Sequence, residues 1–343
     1  MISRSGRPSL IFILLLFAAA MMLLFSETDS VYAADSPPFR IYMITWRGVT
    51  DVERGFQNYM TEKNIRVEYI MRDADKDQTK LAGFVEEIRR LKPDLIYTWG
   101  SPVTLGVAGT YNEQDNGKYI HDIPVVFTLV ADPVGVKIVS DLTSSKRNVT
   151  GVYHVATPES VITGINSYRR LSKLGMLYNS EEKNSVAFAM EIRKLAKKMG
   201  FTFIEEKYKI GADGKPSSEG VLGLLRNLKQ SGAEWLLFGP DSYSTSIADV
   251  LAPAMREVGL PVFVTTESVV KWPTVILAGL VSKYYSIGQF TAYKAEQILV
   301  KKQPAAAIPV ETLKRFSYVI RMDVAKELKF YPPVSMFNYA EIL

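Results

Sequence analysis

The chain has 343 residues, 47% of them apolar, and its 41 basic against 36 acidic side chains leave a formal charge of +5. It contains no cysteine, which excludes disulfides, thiolate metal sites, a cysteine nucleophile and a lipid-modified cysteine. Its densest basic clusters, Arg193-Lys194 with Lys197-Lys198 and Lys301-Lys302, fall on amphipathic helical periods, so they read as solvated faces and no nucleic-acid partner is expected.

At the start of the chain Arg4 and Arg7 precede an unbroken apolar run from Leu10 to Phe25, then polar residues, then Val31-Tyr32-Ala33. That order predicts a secretory signal over residues 1–33 with cleavage before Ala34, and hence a periplasmic or secreted protein. The competing reading is a retained anchor, for which the run is short, because a bilayer span takes about twenty apolar residues. The chain beyond Ala33 is long enough to bury two cores of ordinary size without staples.

From Phe39 onward short apolar runs alternate with segments of helical period, the pattern of βα units on parallel sheets. A strand Ile41 to Thr45 leads to Thr50-Asp51-Val52-Glu53, a capping box opening a helix whose buried face is Val52, Phe56, Tyr59 and Met60. A second strand, Arg66 to Met71, precedes a helix with Asp77 as N-cap and Leu81, Val85, Ile88 and Leu91 as its stripe. Strands come next over Asp94 to Trp99 and Ile123 to Val130, with a helix opening at Ser101-Pro102 between them. After Gly151 a fresh series begins with a helix from Thr157-Pro158 and a strand Leu174 to Tyr178. A helix Ser185 to Met199 closed by Gly200 and strands at Phe201 to Ile204, Trp235 to Phe238 and Val262 to Thr265 continue it.

The late segments, a strand Val275 to Val281, a helix to Lys302 and a strand Tyr318 to Met322, are too short for a third domain. The expected fold is therefore α/β, with two Rossmann-like lobes around parallel sheets, joined by a hinge that the chain crosses three times near Gly151, Thr274 and Ile308. The expected boundaries are 38–150 plus 275–307 for the first lobe and 151–274 plus 308–343 for the second.

In open parallel sheets ligands collect beyond the carboxyl ends of the strands. Those positions make Thr45, Trp46, Trp99, Gly100, Ser101, Thr128 and Asp132 the first lobe's candidates and Asn179, Asp241, Ser242 and Glu267 the second lobe's. Gly100-Ser101-Pro102 offers close backbone approach and a helix N-terminus to an anion; Trp46 and Trp99 offer ring faces to a flat solute; Asp241 offers a partner for an amine. His121 and His154, the only histidines, read as surface or satisfied core residues. No nucleophile elbow, Walker loop, dinucleotide fingerprint or zinc motif is present, so neither catalysis nor a cofactor or metal is expected.

Asp94-Leu95-Ile96 into Gly100-Ser101-Pro102, Ile123-Pro124-Val125-Val126-Phe127 into Ala131-Asp132-Pro133-Val134, and Asn148-Val149-Thr150-Gly151-Val152 occur in that order. Leu177-Tyr178-Asn179 with Asn184-Ser185, Leu260-Pro261-Val262-Phe263 and Tyr284-Tyr285-Ser286-Ile287-Gly288 complete the set. Together they resemble the ABC-transporter substrate-binding proteins of the tryptophan/tyrosine-binding type, within the type I periplasmic binding protein fold. The resemblance implies a monomeric Venus-flytrap receptor that closes on an amino acid or similar solute, aromatic ones among the candidates, and passes it to a membrane permease. The same fold also serves sensors read by a histidine kinase or chemoreceptor, and an exported α/β enzyme is the third alternative. The resemblance raises Ser101, Asp132, Asn179 and Asp241 among the candidates and adds Asn184. Lys283 stands where an acidic residue is common in the family, implying a positive charge near the cleft and a more acidic solute.

Overall fold

Residues 37–113 and 117–343 are described by the structure, a computed structural model. The expected signal and its cleavage point, residues 1–34, lie outside them. The first sheet contains β1 (Phe39–Thr45), β2 (Val67–Asp73), β3 (Leu95–Trp99), β4 (Val125–Val130) and β5 (Val149–Tyr153) in the order β2-β1-β3-β4-β5, all parallel. Strands β3 and β4 are buried along their whole length, which is why they read as continuous apolar runs without alternation. Helices α1 (Asp51–Glu62), α2 (Leu81–Leu91) and α3 (Gly100–Ala108) connect them. The capping box of α1 forms as expected: Val52 N donates to Thr50 Oγ1 at 3.2 Å, and Thr50 N donates to the Glu53 carboxylate at 2.7 Å.

After β5 the chain passes to the second sheet through α4 (Pro158–Tyr168), β6 (Lys173–Tyr178), α5 (Lys183–Met199) and β7 (Thr202–Lys207). A two-strand ribbon of β8 (Lys209–Ile210) and β9 (Pro216–Ser217) precedes α6 (Val221–Gln230), β10 (Trp235–Phe238), α7 (Ser242–Ser246), α8 (Ala248–Val258) and β11 (Val262–Val264). β12 (Ile276–Val281), α9 (Tyr284–Leu299), β13 (Ser317–Ile320), α10 (Met322–Glu327) and β14 (Glu341–Ile342) complete the chain. The second sheet runs β14-β13-β12-β11-β10-β6-β7, parallel except where β13 meets β12. Each sheet has its own hydrophobic core, centred on Phe127 and Tyr97 in one and on Trp235 and Phe263 in the other.

All three expected crossings move. β5 pairs with β4 as far as Val130↔Tyr153, so the first crossing starts at His154 and not at Gly151. β12 pairs with β11 and β13, so Ile276–Val281 belongs to the second sheet, and the second crossing falls at Ser282-Lys283 and not at Thr274. An apolar run states that a strand is buried but not which sheet buries it. Helix α9 does return to the first core, where Ile287, Ala292, Ala295 and Ile298 are buried, and it crosses α1 closely. A Cβ on Gly55 would lie 2.1 Å from Tyr285 O, and one on Gly288 would lie 1.9 Å from Val52 O, so only glycine permits this approach.

The third crossing falls after Glu311 and not at Ile308, because Glu311 bridges Val152 of β5 and both Ile308 and Val310 are buried in the first core; the segment before it is pinned to α9 and β5. Lys294, 1% exposed, donates to Pro309 O at 2.6 Å and to Glu311 at 2.7 Å, while Thr150 Oγ1 donates to Ile308 O at 2.9 Å. A lysine ammonium this deep is tolerated because it is both ion-paired and hydrogen-bonded.

Candidate functional site

The strand order of the first sheet reverses between β1 and β3, and the second sheet's reverses between β6 and β10. Loops leaving the carboxyl ends of such neighbours diverge and open a crevice. Four loops, contributing Trp46-Arg47, Trp99-Gly100-Ser101, Glu182 with Asn184, and Pro240-Asp241-Ser242, line one cavity of about 60 Å³ between the two sheets. Two further cavities adjoin it. One of about 470 Å³ shares Ser101, Pro102, Glu182 and Asn184 and extends past Lys118 and Tyr119. The other, of about 280 Å³, shares Ala131, Asn184 and Pro240 and is lined by Val134, Leu142, Val155 and Phe188.

On the first wall Trp46 and Trp99 are each nearly buried, and the Arg47 guanidinium lies over the Trp99 ring, 4.9 Å from its centroid. Gly100 opens α3 at φ 76°, where a side chain would be strained. The first turn of α3 has no side-chain cap. Lys76 also lines the cavity. Neither Arg47 nor Lys76 is ion-paired among the described residues. Strand β4 breaks register between Phe127 and Val130, and Leu129, with φ 51°, turns there into the cavity wall.

On the second wall Asp241 is held by its own lobe. Its carboxylate accepts from Asn179 N at 2.7 Å, Ser185 Oγ at 2.9 Å and Ser244 N at 2.7 Å, the last as N-cap of α7. Glu182 accepts from Ser242 N at 2.9 and 3.1 Å and from Asn184 Nδ2 at 2.9 Å. Burial, together with the negative charge of Asp241, pushes the Glu182 carboxyl up to about 7. At the hinge end His154 is 6% exposed, stacks edge-on with Tyr284, and leaves Nδ1 without a partner. Burial pushes its imidazole down to about 4, and the Arg47 charge acts in the same direction.

Of the expected site residues, Trp46, Trp99, Gly100, Ser101, Asn184, Asp241 and Ser242 meet at this cavity. Thr45 donates to Arg72 O at 3.3 Å and Thr128 accepts from Thr291 at 3.2 Å, both inside the first lobe. Asp132 closes its own turn through Gly135 N and faces the apolar side cavity. Asn179 offers its backbone to Asp241 and its side chain to Glu181 N. Glu267 caps α9 by accepting from Tyr284 N at 2.6 Å. Lys283 is ion-paired with Glu341 at 2.9 Å and Glu267 at 3.6 Å and does not line the cavity, so the positive charge there comes from Arg47 and Lys76. The cavity also brings in Arg47, Lys76, His154, Glu182 and Tyr284, which are not among the residues expected from the sequence. Arg47 could have been found, since it comes directly after Trp46 at the same strand end. The others sit at crossings or beyond turns whose geometry no local pattern fixes.

The ABC transporter substrate binding protein family matches residues 42–341. The chain belongs to this family. Its members are non-catalytic substrate-binding proteins of ABC transporters that work outside the cytoplasm, and this chain is one of them. A curated relative, the tyrosine-binding protein of Clostridioides difficile, is 22% identical over 79% of this chain and 73% of its own length. Among solved structures, an ABC domain from Streptococcus pneumoniae in complex with L-Trp has a TM-score of 0.74 at 21% identity, over 89% of this chain and 99% of that one. A conserved domain protein of Vibrio cholerae has a TM-score of 0.75 at 21% identity, with the same coverage. The fold is that of the type I periplasmic binding proteins.

Proposed function

We propose that this substrate-binding protein captures a zwitterionic amino acid with an aromatic side chain and delivers it, as a monomer, to the permease of an ABC importer. The carrying observation is the charge division of the cavity: Arg47 and Lys76 on one wall, together with two tryptophan rings, and Glu182 and Asp241 on the other, in no ion pair with each other. A solute bearing both charges at one end and a flat apolar group at the other complements those walls. Its carboxylate would lie by Arg47 and the open first turn of α3, where free N–H groups and the helix dipole favour an anion. The relatives that bind tyrosine and L-Trp support the same solute class.

Thermal melts of the mature chain against the twenty amino acids test this reading. The expected result is a rise in Tm confined to the aromatic ones and growing with their concentration, by mass action. A rise with sugars or dicarboxylates alone would replace the solute class. The residues ahead of Ala34 are assigned to an export signal, and N-terminal sequencing of the secreted protein checks the cleavage point.

A further inference from the structure

Both carboxylates of the second wall are bound by their own lobe, but they differ in what remains free. Asp241 is 5% exposed, and its three bonds hold the start of α7 against α5. Glu182 lies at the N-cap of α5, lines both the central cavity and the outer one, and accepts from the backbone N–H and side chain of Ser242 and from Asn184 Nδ2. A carboxylate has about four lone-pair directions, so the three donors of Ser242 and Asn184 leave Glu182 one for a visitor. No lysine, arginine or histidine is ion-paired with it among the described residues.

We propose that Glu182 receives the ammonium group of the solute and gives up a proton when it does so, which couples capture to proton release. This rests on the amino-acid reading above and deepens it. The charged and titratable groups around Glu182 are Asp241 from α7, Glu181 and Lys183 beside it, Arg47, Lys76, His154 and Tyr284 across the central cavity, and Lys118 and Tyr119 at the outer one. Desolvation and the charge of Asp241 hold Glu182 near 7 in the free protein. The arriving ammonium supplies the missing positive charge and lowers that value, so the complex binds fewer protons than the free protein. Affinity therefore rises with pH through 7 and levels off above it. The proton passes from the Glu182 carboxyl to water, and no covalent bond is made or broken beyond that O–H.

The test is isothermal titration calorimetry on the full mature chain with L-tryptophan and L-tyrosine, then with the remaining amino acids and their decarboxylated amines, in phosphate and in Tris. The wild type is expected to release about half a proton per solute at pH 7 and to gain about tenfold in affinity between pH 6 and pH 8. Glu182→Gln keeps an oxygen to accept from Ser242 N. It is expected to melt as a folded protein, to bind about ten- to a hundredfold more weakly at pH 8, and to show no pH dependence in that range. Indole-3-propionate, which lacks the amine, should bind both proteins alike. If an amino acid binds with an enthalpy independent of buffer and Glu182→Gln holds it as the wild type does, this inference falls and the amino-acid reading stands. If no ammonium-bearing solute binds at any pH, both fall together.

Discussion

The two walls of the cavity are built by the same kind of βα loop, yet they differ in how their charges are satisfied. Arg47 and Lys76, on the first wall, have no ionic partner among the described residues, and Arg47 leans on the Trp99 ring. On the second wall Asp241 and Glu182 are gripped by backbone N–H groups of their own lobe. One wall therefore presents its charge outward while the other uses part of its charge to hold itself together. Substitutions of Arg47 and of Asp241 should consequently report different quantities, binding for the first and folding for the second.

The largest effect is expected at Asp241. Alanine there would strand Asn179 N and Ser244 N, both buried, and remove the acceptor of Ser185 Oγ, for a loss of about 3 kcal/mol in urea unfolding. Asparagine, which keeps an oxygen, should lose about half of that. A variant as stable as the wild type but unable to bind would mean that Asp241 serves the solute and not its lobe. On the opposite wall, Arg47→Gln should leave the unfolding midpoint nearly unchanged, because the side chain is half-buried and unpaired. It should weaken solute binding by about ten- to a hundredfold, the range of one charge-assisted hydrogen bond. Tryptophan fluorescence from Trp99, beneath that guanidinium, offers the measurement.

His154 and Glu182 form a further contrast, in the response of folding to pH. The fold holds His154 down to about 4, so below pH 6.5 the unfolded chain takes up a proton that the fold refuses. That contribution is complete above the unfolded value and is lost as pH falls. The fold holds Glu182 up to about 7, so above its ordinary 4.5 the unfolded chain has released a proton that the fold retains. Its contribution is complete at low pH and is lost as pH rises through 7. Between about pH 4.5 and 6.5 the two slopes have opposite sign and cancel. Glu182→Gln should uncover a stability that rises with pH by about 1.4 kcal/mol per unit relative to wild type, and His154→Phe one that falls by the same amount. Urea unfolding at pH 5 and pH 6 reads both, and parallel curves for all three proteins would contradict the assignment.

Much of the scaffold was legible because it is written in local rules. The box at Thr50 and Glu53, the proline opening α4 and the left-handed Gly200 closing α5 depend on residues a few positions apart, and they form where the pattern places them. Sheet membership does not obey such rules. β12 is as apolar as β4, and what assigns it to the second sheet is pairing with β11 and β13, remote in sequence from its own composition. The site divides in the same way. Trp46 and Trp99 are placed directly by the ends of neighbouring strands, whereas His154 arrives only because β5 extends to Tyr153 and puts the crossing one residue later. Thr128 obeys the strand-end rule yet is buried, since the register break after Phe127 turns Leu129 into the wall in its place.

Lys283 gives the smallest expected effect and the sharpest check on the division between walls. Its position next to Tyr284, a residue of the cavity, makes it a candidate for the solute's negative charge. The ammonium instead bridges Glu267 and Glu341, and so ties the second crossing to the end of the chain at β14. The side chain is 39% exposed, and ion pairs so placed contribute about 0–1 kcal/mol because water and salt screen them. Lys283→Ala should therefore shift unfolding by less than about 1 kcal/mol and leave solute affinity within about twofold. Lys283→Glu is the harsher version. It puts a third carboxylate beside Glu267 and Glu341, which loosens β14, while the charge facing the solute stays with Arg47 and Lys76. Should either variant change the preference between a neutral and an acidic amino acid, the positive wall would have to extend to the second crossing. If both retain the wild-type preference, it ends at the loops of the first lobe.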